Sequence, residues 1–236
     1  MRLTFASYNI HKGVGLDRRR DPDRILAVLR EIDADVIALQ EADRRFGTRE
    51  AVIARQALDE HSPWKAVIPT HVDRARSTQS LGWHGNALLV RRDIEVTGVR
   101  PVPLPALEPR GALCADLEVQ GQRLRVVGMH LDLSGLRRRH QVRAVCAHVR
   151  EGGPAPVVMM GDFNEWSRTG GALRAFDAGL RVLAPGRSFP ARRPMAGLDR
   201  IVASAGWTVE DCGVHHSTLS AMASDHLPVW ARLSLT

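Results

Sequence analysis

Residues Leu3 to Ile10 alternate with a period of two, the spacing of a strand with distinct faces, and they deliver Asn9 to the strand end. A glycine-containing loop, His11-Lys12-Gly13-Val14-Gly15, follows. Asp21-Pro22 predicts a helix start, with Asp as N-cap and Pro at the first helical position, and Ile25, Val28, Leu29 and Ile32 form its apolar face. Asp35 to Gln40 has the composition of a strand buried on both faces and ends on Glu41. A helix from about Arg49 to Glu60 and a strand from Trp64 to Ile68 come next, then a polar loop with Arg74, Arg76 and Ser77.

Gly85 to Val90 and Ile94 to Val102 read as adjacent strands, with the proline-rich segment Pro101 to Pro109 as the loop after them. Ala112 to Val119 and Gln122 to Leu131, joined by Gln120-Gly121, predict a hairpin whose second strand ends at His130-Leu131-Asp132. Arg137 to Arg150 has helical spacing, with Val142, Val145, Cys146 and Val149 on the inner face. Ala155 to Met160 is a short apolar run bounded by proline and glycine, a buried strand, and Gly161-Asp162-Phe163-Asn164-Glu165-Trp166 falls where it emerges. A helix near Gly170 to Ala178, a basic loop from Arg187 to Pro194, a strand from Leu198 to Val202 and a terminal strand from Val229 to Leu235 complete the pattern. Such an order is too antiparallel for a doubly wound sheet and too helical for an all-β sandwich. Two packed sheets with helices on their outer faces, a four-layer α/β/β/α sandwich, fit it. No repeat or low-complexity linker interrupts the chain, so residues 1–236 are expected to form one domain, and a monomer.

Composition changes this picture little. With 44% apolar residues in 236, the chain can bury a full core. It has no apolar run of membrane-spanning length and no signal-peptide pattern after Met1-Arg2, so a cytoplasmic location is expected. Cys114, Cys146 and Cys212 are widely spaced and imply neither a disulfide framework nor a zinc ribbon. The net charge of +7 reads equally as the mark of a polyanionic partner, nucleic acid or anionic surface, and, with only Lys12 and Lys65 as lysines, as an arginine bias of genome composition.

The chemistry lies in the polar strand ends: Asn9, Glu41, His130, Asp162, Asn164, Asp199, Asp225 and His226. Alternation along the strand points Asp162 and Asn164 the same way. Alone, that pair reads first as an Asx-type turn closing a strand; the other polar strand ends overturn that reading. Gathered at one edge of two sheets, the set is rich in oxygen ligands, suited to Mg²⁺ or Mn²⁺, and holds histidines with carboxylate partners that favour the imidazolium. Metal, a water-handling Asp and a cationic His suit hydrolysis of a phosphate ester.

Asn9 in SYNIHKG, Glu41 in IALQEAD, His130 in VGMHLDL, the GDFN block, Asp199 in LDRI and the SDHLP block resemble, in order and spacing, the motif set of the endonuclease/exonuclease/phosphatase superfamily. NIHKG, HGNALL, RGAL, GDFNEW, SFPARRP and LDRI are most similar to a small bacterial branch often encoded beside cardiolipin synthase. The resemblance implies Glu41 as the principal metal ligand, with Asn9 and Asp225 completing the oxygen shell directly or through water. It implies Asp162 as the group that positions or deprotonates the attacking water, Asn164 beside it on the phosphate, and His226, held by Asp199, on a phosphoryl oxygen. His130 would act from the opposite side or protonate the leaving oxygen, and Arg110 would bind phosphate. His11 stands where the abasic-site endonucleases carry an additional acidic residue, and His130 where they use Tyr; both differences lean toward the deoxyribonuclease and phosphatase branches.

Other residues carry less. His11, His84, His215 and His216 read as loop histidines, and Trp83 and Trp166 either wall a substrate pocket or pack. Arg187, Arg192 and Arg193 form a solvated basic loop or touch substrate. Aromatic content of 5% offers few stacking platforms for single strands, and no insertion comparable to a lipid-anchoring loop is apparent, so nucleic acid and phospholipid remain open as substrates. The alternative from another class is a noncatalytic basic module that binds nucleic acid or an anionic membrane surface.

Overall fold

In the computed structural model, residues 1–43, 50–69, 80–105 and 110–235 are described. Twelve strands among them form two six-stranded sheets, ordered β11-β12-β1-β2-β4-β3 and β5-β6-β7-β8-β10-β9. The first holds β1 (Arg2–Asn9), β2 (Val36–Gln40), β3 (Trp64–Val67), β4 (Ala87–Arg91), β11 (Trp207–Val214) and β12 (Val229–Leu235). The second holds β5 (Glu95–Pro103), β6 (Gly111–Val119), β7 (Gln122–His130), β8 (Val157–Asp162), β9 (Leu180–Leu183) and β10 (Asp199–Ser204). At the centre of each sheet runs one parallel pair, β1 with β2 and β7 with β8; the neighbouring pairs are antiparallel.

Alternation divides each central strand between two cores. Leu3 and Phe5 of β1 face the second sheet and pack with Val36, Ala38 and Leu88 against Leu113, Val126, Val158, Met160 and Ile201. Ala6 and Tyr8 face outward, where α1 (Pro22–Ile32) covers them with Ile25, Leu26, Val28 and Leu29 and α2 (Arg55–His61) adds Leu58. On the far side, α3 (Gly135–Glu151) lays Val142, Val145, Cys146 and Val149 over Val127, Met129 and Met159. The order of layers is α/β/β/α, as the pattern predicts.

Helix α1 begins as its sequence dictates. Asp21 Oδ1 accepts from the Arg24 backbone N–H at 3.0 Å, Pro22 holds the first position, and Asp33 closes the helix in the left-handed region at φ 52°. The expected helix from Arg49 starts only at Arg55. Residues 44–49 lie outside the described residues, and Val52 N donates to Ala42 O at 2.9 Å, so tertiary pairing claims that backbone first. The expected helix near Gly170 to Ala178 is a short 3₁₀ turn over Gly171–Ala175, wound around a side chain described below. Strand β5 extends through Pro103 into the proline-rich segment; Arg74, Arg76 and Ser77 lie outside the described residues. No helix of the described residues is long and apolar enough to cross a membrane.

Candidate active site

Strand register brings the polar ends together. In the second sheet His130 pairs with Asp162 and Asp162 with Asp199, so three chemistry-bearing residues lie in a row across β7, β8 and β10. In the first sheet Asn9 pairs with Gln40, which sets Glu41 one residue beyond that row. Ser224-Asp225-His226 leads into β12, the neighbour of β1. Gly161 makes the approach possible, because a Cβ there would lie 1.8 Å from the Met129 carbonyl oxygen.

Asp162 is the hub. Its Oδ2 accepts from Asn9 Nδ2 at 3.1 Å and lies 3.3 Å from His130 Nε2 and 3.8 Å from His226 Nε2. Its Oδ1 accepts from the Asn164 backbone N–H at 2.9 Å, and Asn164 Nδ2 donates to Leu131 O at 3.0 Å. The Asx turn is therefore present: one oxygen closes the turn and the other faces the histidines. Burial alone would raise the Asp162 carboxyl, but the His130 hydrogen bond and the His226 charge hold it well below the usual carboxylate range.

His226 sits between two acids. Its Nδ1 donates to Asp199 Oδ2 at 2.9 Å, and the same oxygen accepts from Ser188 Oγ at 2.5 Å. Burial opposes a charged imidazole, yet the attraction and hydrogen bond of Asp199, with Asp162 behind it, raise its pKa to about 10. Asp199 itself is raised by burial, so the pair keeps its proton at neutral pH and the imidazole carries it. His130 is held differently. Arg110 Nη1 hydrogen-bonds His130 Nε2 and also donates to Leu131 O at 3.1 Å. A single ring nitrogen cannot donate to Asp162 and accept from Arg110 at once, so the proton on His130 selects its partner.

Glu41 has a left-handed backbone, φ 54°, as do His11 (45°), Lys12 (56°) and Asn164 (50°) around it. Such conformations cost on the order of 1 kcal/mol or more for a side chain like Glu, and they gather where the surrounding structure fixes function. Glu41 is largely buried, and burial would raise its carboxyl. The Lys12 ammonium, 2.7 Å from Oε2, and the nearby His130 and His11 lower it instead. An ammonium already pressed against a buried carboxylate oxygen marks a place where this fold stabilises a cation. The Glu41 carboxylate is a hard-oxygen donor of the kind that divalent cations take, and the Asn9 side-chain oxygen accepts from the His11 N–H at 3.1 Å. Asp162, Asp199 and His226 also bring ligand atoms within 4.8 Å of one another, but there the imidazolium proton balances the charge. Asp225 Oδ1 lies 3.3 Å from Ser224 Oγ and 3.8 Å from His11 Nδ1.

Residues 6–226 match the Endonuclease/Exonuclease/phosphatase family. The chain belongs to that family. It is 28% identical to the uncharacterized protein YbhP of Escherichia coli (strain K12) over 242 aligned residues, which cover 96% of this chain and 94% of the relative. Among solved structures, an endonuclease/exonuclease/phosphatase from Bacteroides vulgatus superposes with a TM-score of 0.77 at 18% identity, covering 100% of both chains. The human Nocturnin catalytic domain with bound sulfate anion superposes with a TM-score of 0.74 at 20% identity, covering 100% of this chain and 95% of that one.

In this member of the family several residues at the centre have no role in the sequence pattern. Ser188 belongs to SFPARRP, yet nothing local marks its hydroxyl as a partner of Asp199, eleven residues on. Phe189 lies against the His226 ring with centroids 4.7 Å apart. Lys12 pairs with Glu41, and Ser224 Oγ donates to Asn9 O at 2.7 Å, tying the β12 entry to the end of β1. Two buried groups brace the loop after Asp162: Glu165 accepts from Ser167 N at 3.0 Å, Ala172 N at 2.8 Å and Arg138 Nη2 at 3.3 Å. Of the remaining histidines, His215 pairs with Glu31 at 2.8 Å and His84 stacks edge-on with Trp83. Cys114 and Cys146 are buried and Cys212 is half-buried, all three as free thiols.

Proposed function

We propose that this chain is a divalent-metal-dependent hydrolase of phosphate esters, acting on phosphodiesters, with Mg²⁺ or Mn²⁺ held by Glu41 and Asn9 and with Asp225 reaching it through water. The observation that carries this is the shared Asp162 carboxylate, flanked by Asn9 and two histidines, one of them locked as a cation by Asp199. Its depressed pKa keeps Asp162 ionised, so it orients a water by accepting its hydrogen bond and, though a weak base, takes the proton as the new O–P bond forms. The His226 imidazolium donates from Nε2 to a nonbridging oxygen as negative charge builds there. His130, when protonated at Nε2, gives its proton to the ester oxygen as the P–O bond breaks. Arg110 and Asn164 bind the phosphate beside it. A bound metal would add a Lewis acid against the phosphoryl and leaving oxygens.

Family membership and the sulfate on the Nocturnin domain support an oxyanion centre of this kind. The test is turnover of bis(p-nitrophenyl) phosphate with Mg²⁺ or Mn²⁺, together with thermal melting. Metal is expected to raise the melting temperature of the wild type and not of Glu41→Ala. Absence of turnover on any phosphate ester, with salt-sensitive polyanion binding that survives Glu41→Ala, would establish the noncatalytic module instead.

A further inference from the structure

Six large apolar side chains stand exposed among the described residues: Leu16, Leu133, Leu136, Trp166, Met195 and Met222, from 37% for Leu16 to 69% for Leu133. All six lie on segments that leave or enter the sheets at the edge that carries Asp162. Leu16 follows the end of β1, Leu133 and Leu136 follow His130, Trp166 follows Asp162, Met195 precedes Asp199, and Met222 precedes His226. The opposite edge, with the β6–β7 and β10–β11 turns and the entries to β2 and β8, exposes no such side chain among the described residues.

Contacts join these segments into two groups. Leu16 N donates to Met222 O at 3.0 Å. Arg138 links the others, donating to Leu133 O at 2.7 Å and to Glu165, the neighbour of Trp166. The Trp166 ring meets Phe189 edge-on at 6.3 Å, and Met195 N donates to Phe189 O at 2.8 Å. Phe189 in turn lies against His226. The apolar rim is thus anchored to the catalytic loops themselves.

Exposed arginines stand among these side chains: Arg18, Arg19, Arg168, Arg192 and Arg193. The acids on the same segments are largely spent. Asp17 is paired with Arg24 at 2.9 Å, Asp132 and Glu165 are buried, and the half-buried Asp225 lies 3.8 Å from His11. Aliphatic anchors flanked by unopposed arginines match a surface that offers hydrocarbon beneath fixed negative charge. A single-stranded nucleic acid offers bases that stack on rings, and Trp166 is the one ring among the six.

We propose that this edge docks on an anionic lipid bilayer, so that the centre at Asp162 faces the headgroup layer. Docking stands on the rim alone; its consequence, that the ester attacked is a phospholipid headgroup, rests on the hydrolase function proposed above. The test is co-sedimentation of the full chain with vesicles of phosphatidylcholine alone or with about 30 mol% phosphatidylglycerol. The anionic vesicles should bind at least about tenfold more tightly, and Leu133→Ser/Leu136→Ser should weaken that binding by about tenfold. Circular dichroism and turnover of the soluble ester should stay at wild-type values in that variant. Absence of vesicle binding, or undiminished binding by the leucine variant, would overturn the proposal. Preferential binding of a single-stranded oligonucleotide that the same substitutions abolish would overturn it in favour of a nucleic-acid surface. Vesicle binding without turnover on any ester would leave docking in place and remove the hydrolase function.

Discussion

A carboxylate shared by several donors is only as useful as the charge states around it, and here those states are set by single contacts. Replacing His226 with Ala removes the cationic donor while leaving Glu41 and Asn9 intact. Turnover should fall on the order of 10²–10³, and metal should still raise the melting temperature. Asp199→Asn removes the acid that holds the His226 proton, so the imidazole deprotonates earlier. Its pH–rate profile should lose activity on the basic side at lower pH than the wild type, with the fold retained by circular dichroism. An unmoved basic limb would mean that His226 is not the group titrating. Asn9, Glu41, His130, Asp162, Asp199 and His226 were legible because each ends or opens an apolar run, where a polar side chain has no reason of packing to be. Ser188 and Lys12 were not, since each gains its role from a partner outside its own element: Asp199 for the hydroxyl, Glu41 for the ammonium.

Elements, rather than residues, decide whether the site keeps its shape. The loop after β8 is wound around Glu165, whose carboxylate takes two backbone donors and the Arg138 guanidinium, both side chains more than nine-tenths buried. Arg138→Met leaves that carboxylate short of its charged partner and should destabilise the chain by about 3 kcal/mol in urea unfolding, the cost of breaking a buried pair from one side. Arg138→Met/Glu165→Gln should recover part of it. The β6–β7 hairpin and the burial of β2 and β8 followed from pattern, because turn residues and continuous apolar runs are local. Strands β9 and β11 carry no such signal. Both are sheet edges, β9 spans only Leu180–Leu183, and a register shift between Val209 and Asp211 breaks the alternation of β11. The turn at Gly171–Ala175 lost its expected helix for a related reason: Glu165, a side chain from outside the segment, takes the Ala172 N–H.

At the scale of the whole molecule, the two sheets bring one edge of each together, and the four-layer order that achieves this could be read from the order of strands, hairpins and helices along the chain. What the pattern could not give is the distance between edges, which depends on how closely the sheets pack. Gly128 shows how closely: an added Cβ would meet Leu88 at 3.0 Å and Ala38 at 3.2 Å from the facing sheet. The buried imidazolium also links global stability to pH. Its pKa in the folded protein lies above its ordinary 6.5, so its stabilising contribution is complete below that value and is lost as pH rises toward about 10. Urea midpoints should therefore fall between these limits in the wild type and less steeply in His226→Gln. The most direct measurement of the central claim is the metal-dependent turnover of bis(p-nitrophenyl) phosphate by wild type and Asp162→Asn side by side. Asparagine keeps the shape of Asp162 and the hydrogen bond to the Asn164 backbone, but it sets an amide NH2 where Oδ2 accepts from Asn9 and cannot take the proton of water, so melting should fall somewhat and activity should drop by about 10³ or more while metal still raises the melting temperature. Equal turnover in the two proteins would contradict the account.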